Sequence, residues 1–528
     1  MIPMQSTQLN RAPIKPPLIQ KLDMRKTESA SPQTTAQSKL TAQHRLTGDG
    51  WVRVTATALI LGQLWKEFLS LLNPIFKKRT MTTQNNGEPP AHINLRKKTK
   101  PIVNIYQPLG YILYEATTSP WVTFSYELTG MFKHWADFSG GMLGRTPDYL
   151  NAILAGCASA KSYFSQNGAE YGERMVAYYE LCRESDLCAT HTFVDPQINR
   201  ARSQSEQKDP SVPLHIVGES SEGLIVSGAR MLATLAPYAD ELYVFPSPSR
   251  TQQSDAPKFA FAFALPIATP GLKFICRESL DNGGPISDYP LTARFEEMDA
   301  VAVFHDVVVP WDRVFLKGDI GLCNRLFRET PAFLHGIHQF TVKNLAKAEF
   351  ILGVASLVAE AIGRTEMATY QQMLGEIVDA VETERAFLRA AEADAITDAN
   401  GFVHPNANIL STARNYFPKI YPRLIEILQL IGSSGLMATP SSRDMNAPEL
   451  GDEIDRYYQS ATLMGKERVQ LFRLAWDLAC SSFAGRQTLY ERFFAGDPFL
   501  LMASRYTSYD RSAAVNRVKT MLARVREE

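Results

Sequence analysis

The chain is poor in cysteine, and its six cysteines stand apart, at positions 157, 182, 188, 276, 323 and 480 of 528 residues. No pair is spaced CxxC, which argues against a zinc ribbon or a thioredoxin-like site, and so sparse a set makes no disulfide framework. Small buried thiols in a reducing cytoplasm are the expectation. A nucleotide fingerprint is also missing. No GxGxxG opens a helix after a strand and no GxxxxGKS/T occurs, so a nicotinamide dehydrogenase or a P-loop enzyme is disfavoured. Charge of one sign is absent too: 55 basic residues balance 55 acidic ones. That gives no support for a nucleic-acid partner. Nor is there a long apolar run. Residues 52–76, the most apolar segment near the N-terminus, are interrupted by Arg53, Gln63, Lys66, Glu67 and Asn73, short of the ~20 apolar residues that a membrane span needs. Fifty mostly polar residues precede the segment, so it is no signal peptide; an interfacial helix is the alternative, and stable membrane insertion is not expected.

What is present is ordinary globular material, 45% hydrophobic and 21% charged, enough for large cores in two to four domains. Its charge is unevenly placed. Residues 1–100 hold 16 basic and 5 acidic side chains, leaving 39 basic and 50 acidic for the rest. Residues 1–50, rich in Ser, Thr and Gln, are expected to be disordered. Residues 1–100 as a whole read as a basic extension, either a leader or a segment upstream of a later start at Met24 or Met81. From 148 to 164, Tyr149, Ala152, Ile153, Cys157, Ala160 and Phe164 recur at helical spacing. Gly156 falls on that same face, where it admits a close neighbour. The period then changes. Residues 258–265 (KFAFAFAL) alternate Phe with Ala and predict a strand, and 223–227, 241–245, 272–276 and 300–309 predict others, together a compact β-barrel or sandwich. After Pro331 the pattern is helical again, with long candidates at 338–363, 366–397, 413–431 and 465–494 that argue for a four-helix bundle. The expected fold class is α+β: an N-terminal helical domain (101–187), a middle β-barrel domain (188–325) and a C-terminal helical bundle (326–528).

Three segments attract chemical notice. In the first, residues 141–151 (GMLGRTPDYLN), Gly-rich backbone leads into a helix start with Thr146 as N-cap and Pro147 as the first helical residue. Arg145 sits just before that cap and Tyr149 projects from the first turn. The second, residues 190–197, reads as a loop with His191 beside hydroxyl and amide groups. The third, 219–234, is a polar turn running into a strand that ends in small residues and Thr234. Each also has a plain reading: a surface ion pair for Arg145, a core aromatic for Tyr149, one histidine among nine for His191.

Residues 132–151 (FKHWADFSGGMLGRTPDYLN), 191–200 (HTFVDPQINR), 219–234, 304–315 (FHDVVVPWDRVF), 416–440 and 469–498 closely resemble, in the same order, the oxygenase component of two-component 4-hydroxyphenylacetate 3-monooxygenases. Residues 101–131 match that family poorly and 1–100 not at all. The resemblance implies an acyl-CoA-dehydrogenase-like fold that assembles as a homotetramer. It implies an enzyme that takes diffusible reduced FAD from a separate NAD(P)H:flavin reductase, uses O2 as co-substrate, and hydroxylates a small phenol ortho to its hydroxyl. Arg145, Tyr149 and His191 match the family's substrate-site positions. There a cation or hydrogen-bond donor would hold the phenolate, and an imidazole titrating near neutrality would exchange its proton. By the same resemblance the flavin is held by His191, Thr192, Phe193, Gln197, Ile198, Asn199, Arg200, Thr234 and the Gly432-Ser433-Ser434-Gly435 turn. That turn alone would read as a helix C-cap. The related 4-hydroxybutyryl-CoA dehydratases hold an iron–sulfur cluster through a CxxxC pair; none occurs here, so no metal is expected. Alternatives are a hydroxylase of a tyrosine-derived phenol in a biosynthetic pathway, a halophenol or nitrophenol monooxygenase, and an acyl-CoA-dehydrogenase-like enzyme.

Overall fold

Helices, then strands, then helices again follow one another in the computed structural model, which describes residues 130, 132–196, 198–199, 201–247 and 256–527. The basic extension, residues 52–76, most of 101–131, Gln197 and Arg200 lie outside the described residues. Helix α1 (Pro147–Ser159) starts where the sequence places it, with extended backbone at Thr146 and Pro147 in the first turn. Thr146 makes no side-chain capping bond there; its hydroxyl instead accepts from Gln339 Nε2 at 3.3 Å. The predicted stripe is buried except at Ala160, the C-cap at which this helix ends, and Gly156 does admit a neighbour, since a Cβ there would lie 2.6 Å from Ala332 Cα. Helix α2 (Ala169–Glu184) completes the first helical segment.

Eight strands follow: β1 (Ala189–Thr192), β2 (His215–Glu219), β3 (Gly223–Arg230), β4 (Glu241–Val244), β5 (Phe261–Pro266), β6 (Leu272–Cys276), β7 (Ala300–Pro310) and β8 (Val314–Lys317). They form two four-stranded sheets, ordered β1-β4-β5-β8 and β2-β3-β7-β6. Only the β1–β4 pair is parallel among these ladders. No ladder joins the sheets among the described residues, but an isolated antiparallel bridge between Val194 and Met231 links the chain just after β1 to the chain just after β3. The Phe/Ala strand is shorter than predicted, because a 3-10 turn (Ala256–Phe259) precedes it. Its alternation separates a bulky face from a tight one, and both are buried. Phe263 meets Phe304 of the other sheet at 6.1 Å, whereas Ala264 pairs with Tyr243, whose ring packs on Tyr178 of α2. Residues 190–192 depart from the loop expected there. They belong to β1, and His191 is registered against Tyr243.

The bundle comprises α4 (Ala332–Ala361), α5 (Ala368–Ala393), α6 (Ala407–Met437), α7 (Gly465–Ala479) and α8 (Ser482–Phe493), with α3 (Ile320–Glu329) leading in. Helix α4 starts six residues earlier than its pattern suggested. It buries His335, His338, Gln339, Lys343 and Lys347, polar side chains that break the apolar period by which a helix is recognised. The fourth candidate is two helices. The chain breaks at Cys480, and Ser481 restarts it by accepting the Ala484 N–H at 3.2 Å. Helix α6 runs through Pro418 and Pro422 and kinks at Ser433 (φ 48°, ψ −145°). Beyond the bundle lie α9 (Pro498–Ser508) and α10 (Ser512–Glu527). No helix among the described residues is long and apolar enough to cross a membrane.

Replacing Gly156 with Ala forces a methyl into the Ala332 backbone. Urea unfolding should show the Gly156→Ala variant less stable by about 1–3 kcal/mol, the usual range for overpacking.

Candidate functional site

The loop before α1 is shaped by contacts that exclude any side chain. Gly140 and Gly141 have φ of 58° and 70°, and a Cβ on Gly144 would fall 2.2 Å from the Tyr490 hydroxyl. The next two backbone N–H groups are gripped by one buried carboxylate: Glu297 Oε1 accepts from Gly144 N at 2.8 Å and from Arg145 N at 2.6 Å. Arg486 of α8 holds Glu297 in turn at 2.9 Å and also donates to Asp299 at 2.7 and 3.0 Å. Asp299 further accepts from Thr234 Oγ1 at 2.7 Å and from Arg277 at 2.9 Å. Burial alone would raise the Asp299 carboxyl, but Arg486, Arg277 and Thr234 outweigh it and hold the pKa at about 2.

This frame aims Arg145 into a cavity of about 800 Å³. Its guanidinium stands 4.5 Å from the Tyr149 ring, 5.4 Å from Tyr490 and 5.6 Å from Phe494. The Tyr149 and His191 rings are 5.6 Å apart, and His191 meets Phe193 at 4.4 Å. All three polar groups are nearly sealed, at 9% (Arg145), 1% (Tyr149) and 2% (His191) exposure. Yet Arg145 Nε and Nη1, the Tyr149 hydroxyl and both His191 ring nitrogens have no partner within the protein. Buried polar atoms left unpaired at one place are expensive, and their convergence marks a site that a polar ligand completes. Burial, reinforced by the Arg145 charge, holds the His191 imidazole well below its usual pKa, so it is neutral. Burial pushes the Tyr149 hydroxyl up, against the pull of Arg145 and Arg414. One cation and one neutral imidazole therefore line a common space, with a phenol side chain packed against both, a set suited to binding a phenol or phenolate.

Of the other predicted residues, Phe193 and Thr234 line the cavity. Thr192 is buried and spends its hydroxyl on the Met231 carbonyl at 2.6 Å. Ile198 is 49% exposed, and Asn199 bonds to Gln207 at 3.0 Å. Gly432 to Gly435 form the α6 kink, where Ser433 and Ser434 are exposed, and they are not among the cavity's lining residues within this chain. Sequence reasoning missed Asp299, Arg414, Arg486, Tyr490 and Phe494, all of which line the cavity. No local pattern marks them; only the helix spacing of Arg486, Tyr490 and Phe494 hints that they share a face. Among the described residues no group of three His, Cys, Asp or Glu side chains is placed to hold a metal ion.

Residues 126–316 match the family described as 4-hydroxyphenylacetate 3-hydroxylase N terminal, and residues 323–523 match its C-terminal counterpart. The chain belongs to the 4-hydroxyphenylacetate 3-hydroxylase family. It is 45% identical over 405 residues to the 4-hydroxyphenylacetate 3-monooxygenase oxygenase component of Geobacillus sp. (strain PA-9), covering 77% of this chain and 81% of that one. The Thermus thermophilus oxygenase component is also 45% identical, over 74% of this chain and 80% of its own length. A crystal structure of such an oxygenase component, complexed with FAD and 4-hydroxyphenylacetate, superimposes with a TM-score of 0.74 at 42% identity, covering 78% of this chain and 85% of that chain.

The depressed Asp299 pKa has a sign that can be read. Its contribution to stability is complete above the ordinary value of 3.8 and is lost as pH falls toward about 2, because protonation then favours the unfolded chain. The stabilities of wild type and Asp299→Asn, measured by urea unfolding, should differ at pH 6 and converge between about pH 4 and 2.

Proposed function

We propose that the chain is the oxygenase component of a two-component, FADH2-dependent phenol monooxygenase acting on 4-hydroxyphenylacetate or a close relative. The convergence of Arg145 and His191 in the lining of one cavity, with Tyr149 packed against both and each with buried unpartnered polar atoms, carries this reading. The cavity also fits a flavin ring. It sets a wall of Phe193, Phe327, Phe333 and Ile337 opposite polar groups, the combination that a flat heteroaromatic ring with polar edges requires. Phe193 and Thr234 border that space, and reduced FAD bound there would supply the activated oxygen. The remaining work falls to the chain itself. Arg145 holds the substrate oxygen as a phenolate, whose charge enriches the ortho carbon. Tyr149 donates to the same oxygen and fixes the ring's direction. His191, neutral in the free protein, accepts the phenol proton. The apolar walls keep water from the reacting atoms.

A separate NAD(P)H:flavin reductase accounts for the absence of a nicotinamide fingerprint. A homotetramer is part of the same proposal. Its support is the apolar surface left open on α9 and α10, including Phe499 at 85% and Met521 at 68% exposure, with Val515, Val518, Leu522 and Val525 at helical spacing. In such an assembly the Gly432 to Gly435 kink, exposed at Ser433 and Ser434, remains available to a flavin. The six cysteines, none in a disulfide, support a cytoplasmic location. Division into domains at about 187 and 325 follows the change from helix to strand and back.

Catechol formation from 4-hydroxyphenylacetate, with FADH2 from any reductase, is the direct test; absence of both catechol and phenol-stimulated FADH2 oxidation would overturn the proposal. Arg145→Ala should lower kcat/KM by about 2–4 kcal/mol of transition-state stabilisation. As pH rises through the depressed His191 pKa the imidazole becomes the neutral acceptor. The acid limb of kcat/KM in wild type should therefore lie below the ordinary imidazole value of about 6.5, and a limb above that value would contradict the assignment.

A further inference from the structure

Two carboxylates belong to the Arg145 frame, yet the Arg145 guanidinium pairs with neither. Glu297 Oε1 takes the Gly144 and Arg145 N–H groups and its Oε2 takes Arg486. The two Asp299 oxygens take Arg486, Thr234 and Arg277. What the guanidinium has instead is a set of rings: Tyr149 at 4.5 Å, Tyr490 at 5.4 Å and Phe494 at 5.6 Å. A cation within about 6 Å of an aromatic ring is attracted by the ring's quadrupole, more strongly where water is excluded. Such a cage stands in for part of a missing counter-charge and leaves N–H groups open. Arg145 Nε and Nη1 are indeed unpartnered.

Tyr490 is the cage member for which the phenol chemistry leaves no task. Its ring also carries the Arg486 guanidinium, 4.6 Å from the centroid, and stacks on Phe494 at 4.7 Å and 3°. Two guanidiniums whose charges oppose each other thus share one ring. The ring is fixed at its far end as well, because its hydroxyl lies against the glycine loop, 2.2 Å from where a Gly144 Cβ would stand. Without the ring, Arg145 gains room to turn toward the carboxylates of its own frame. There a charged hydrogen bond is worth more than a ring contact. We propose that Tyr490 is a positioning residue that, through its ring rather than its hydroxyl, keeps the Arg145 guanidinium off Glu297 and Asp299 and free for a phenolate. The inference rests on the phenol monooxygenase reading and deepens it.

The test titrates the full chain with 4-nitrophenol, whose phenolate absorbs visible light and so reports binding without turnover. Tyr490→Leu should weaken phenolate binding by about 3- to 30-fold, the worth of one cation–π contact. The bound probe should also ionise at a higher pH than in wild type, because a withdrawn cation no longer favours its charged form. Tyr490→Phe keeps the ring and should recover most of the loss. Phenylalanines bearing one, two and three ring fluorines at position 490 keep the shape and drain the ring's charge, so affinity should fall stepwise. That series stays readable even where the leucine variant fails to fold. In an Arg145→Ala background, Tyr490→Leu should cost nothing further. A flat fluorine series, equal losses in Tyr490→Phe and Tyr490→Leu, unchanged binding in Tyr490→Leu, or a leucine effect that persists without Arg145 would each overturn the assignment. A wild-type chain that binds nitrophenolate but hydroxylates no phenol would overturn the monooxygenase reading and leave Tyr490 as assigned; one that binds no phenol would overturn both.

Discussion

The site depends on one buried carboxylate. Glu297 takes the backbone N–H groups of Gly144 and Arg145 on one oxygen and the Arg486 guanidinium on the other, so the loop before α1, the segment before β7 and helix α8 meet at a single side chain. Arg486 extends the tie to Asp299, and Asp299 to Thr234 and Arg277. Each member leaves water and is repaid by charged hydrogen bonds, which is the condition for a buried ionic network to hold rather than weaken a fold. The consequence is geometric. Arg145 has its backbone clamped while its guanidinium is left free for a ligand.

A second set of buried charges reinforces the first from the other side of α8. Lys343 of α4 donates to both Glu491 oxygens at 2.6 and 2.7 Å, and Lys347 donates to Gln487 at 2.9 Å. Gln487 then donates to the Met142 carbonyl at 2.9 Å, closing the link back to the glycine loop. Helix α8 thus supports one loop through Arg486, Gln487 and Tyr490, while its Glu491 ties it to α4. The stacked Tyr490 and Phe494 rings, 4.7 Å apart at 3°, carry that support to the Arg145 guanidinium. Such a rigid setting suits a catalytic cation, because a donor that needs no reorganisation stabilises charge at the least cost.

Much of this architecture was legible beforehand. Regular period made it so: most of the α1 stripe and the apolar face of α6 at Leu424, Ile427, Leu428 and Ile431 are buried as the spacing requires, and the 272–276 strand forms where predicted, at a sheet edge with its side chains partly or fully exposed. Legibility failed where polar residues enter the interior. Helix α4 was read short because the buried His335 interrupts the stripe in its first turn, and β1 was read as a loop because Thr190-His191-Thr192 looks polar while lying fully buried. Those exceptions lie in or beside the site, where function asks for buried polarity that a core would otherwise exclude.

By itself the sequence determined the order of helical, β and helical segments, the helix start at Pro147, and, through its likeness to a family, the trio of Arg145, Tyr149 and His191. These rest on local periodicity and on short ordered motifs, which a linear chain displays directly. Only the tertiary structure decided that Glu297 and Arg486 hold the loop, that Arg414 and Tyr490 share its cavity, and that the Gly432 to Gly435 kink is not among the residues lining that cavity within the chain. Such contacts join residues more than a hundred positions apart, and no spacing along the sequence encodes which distant side chain will fill a given pocket.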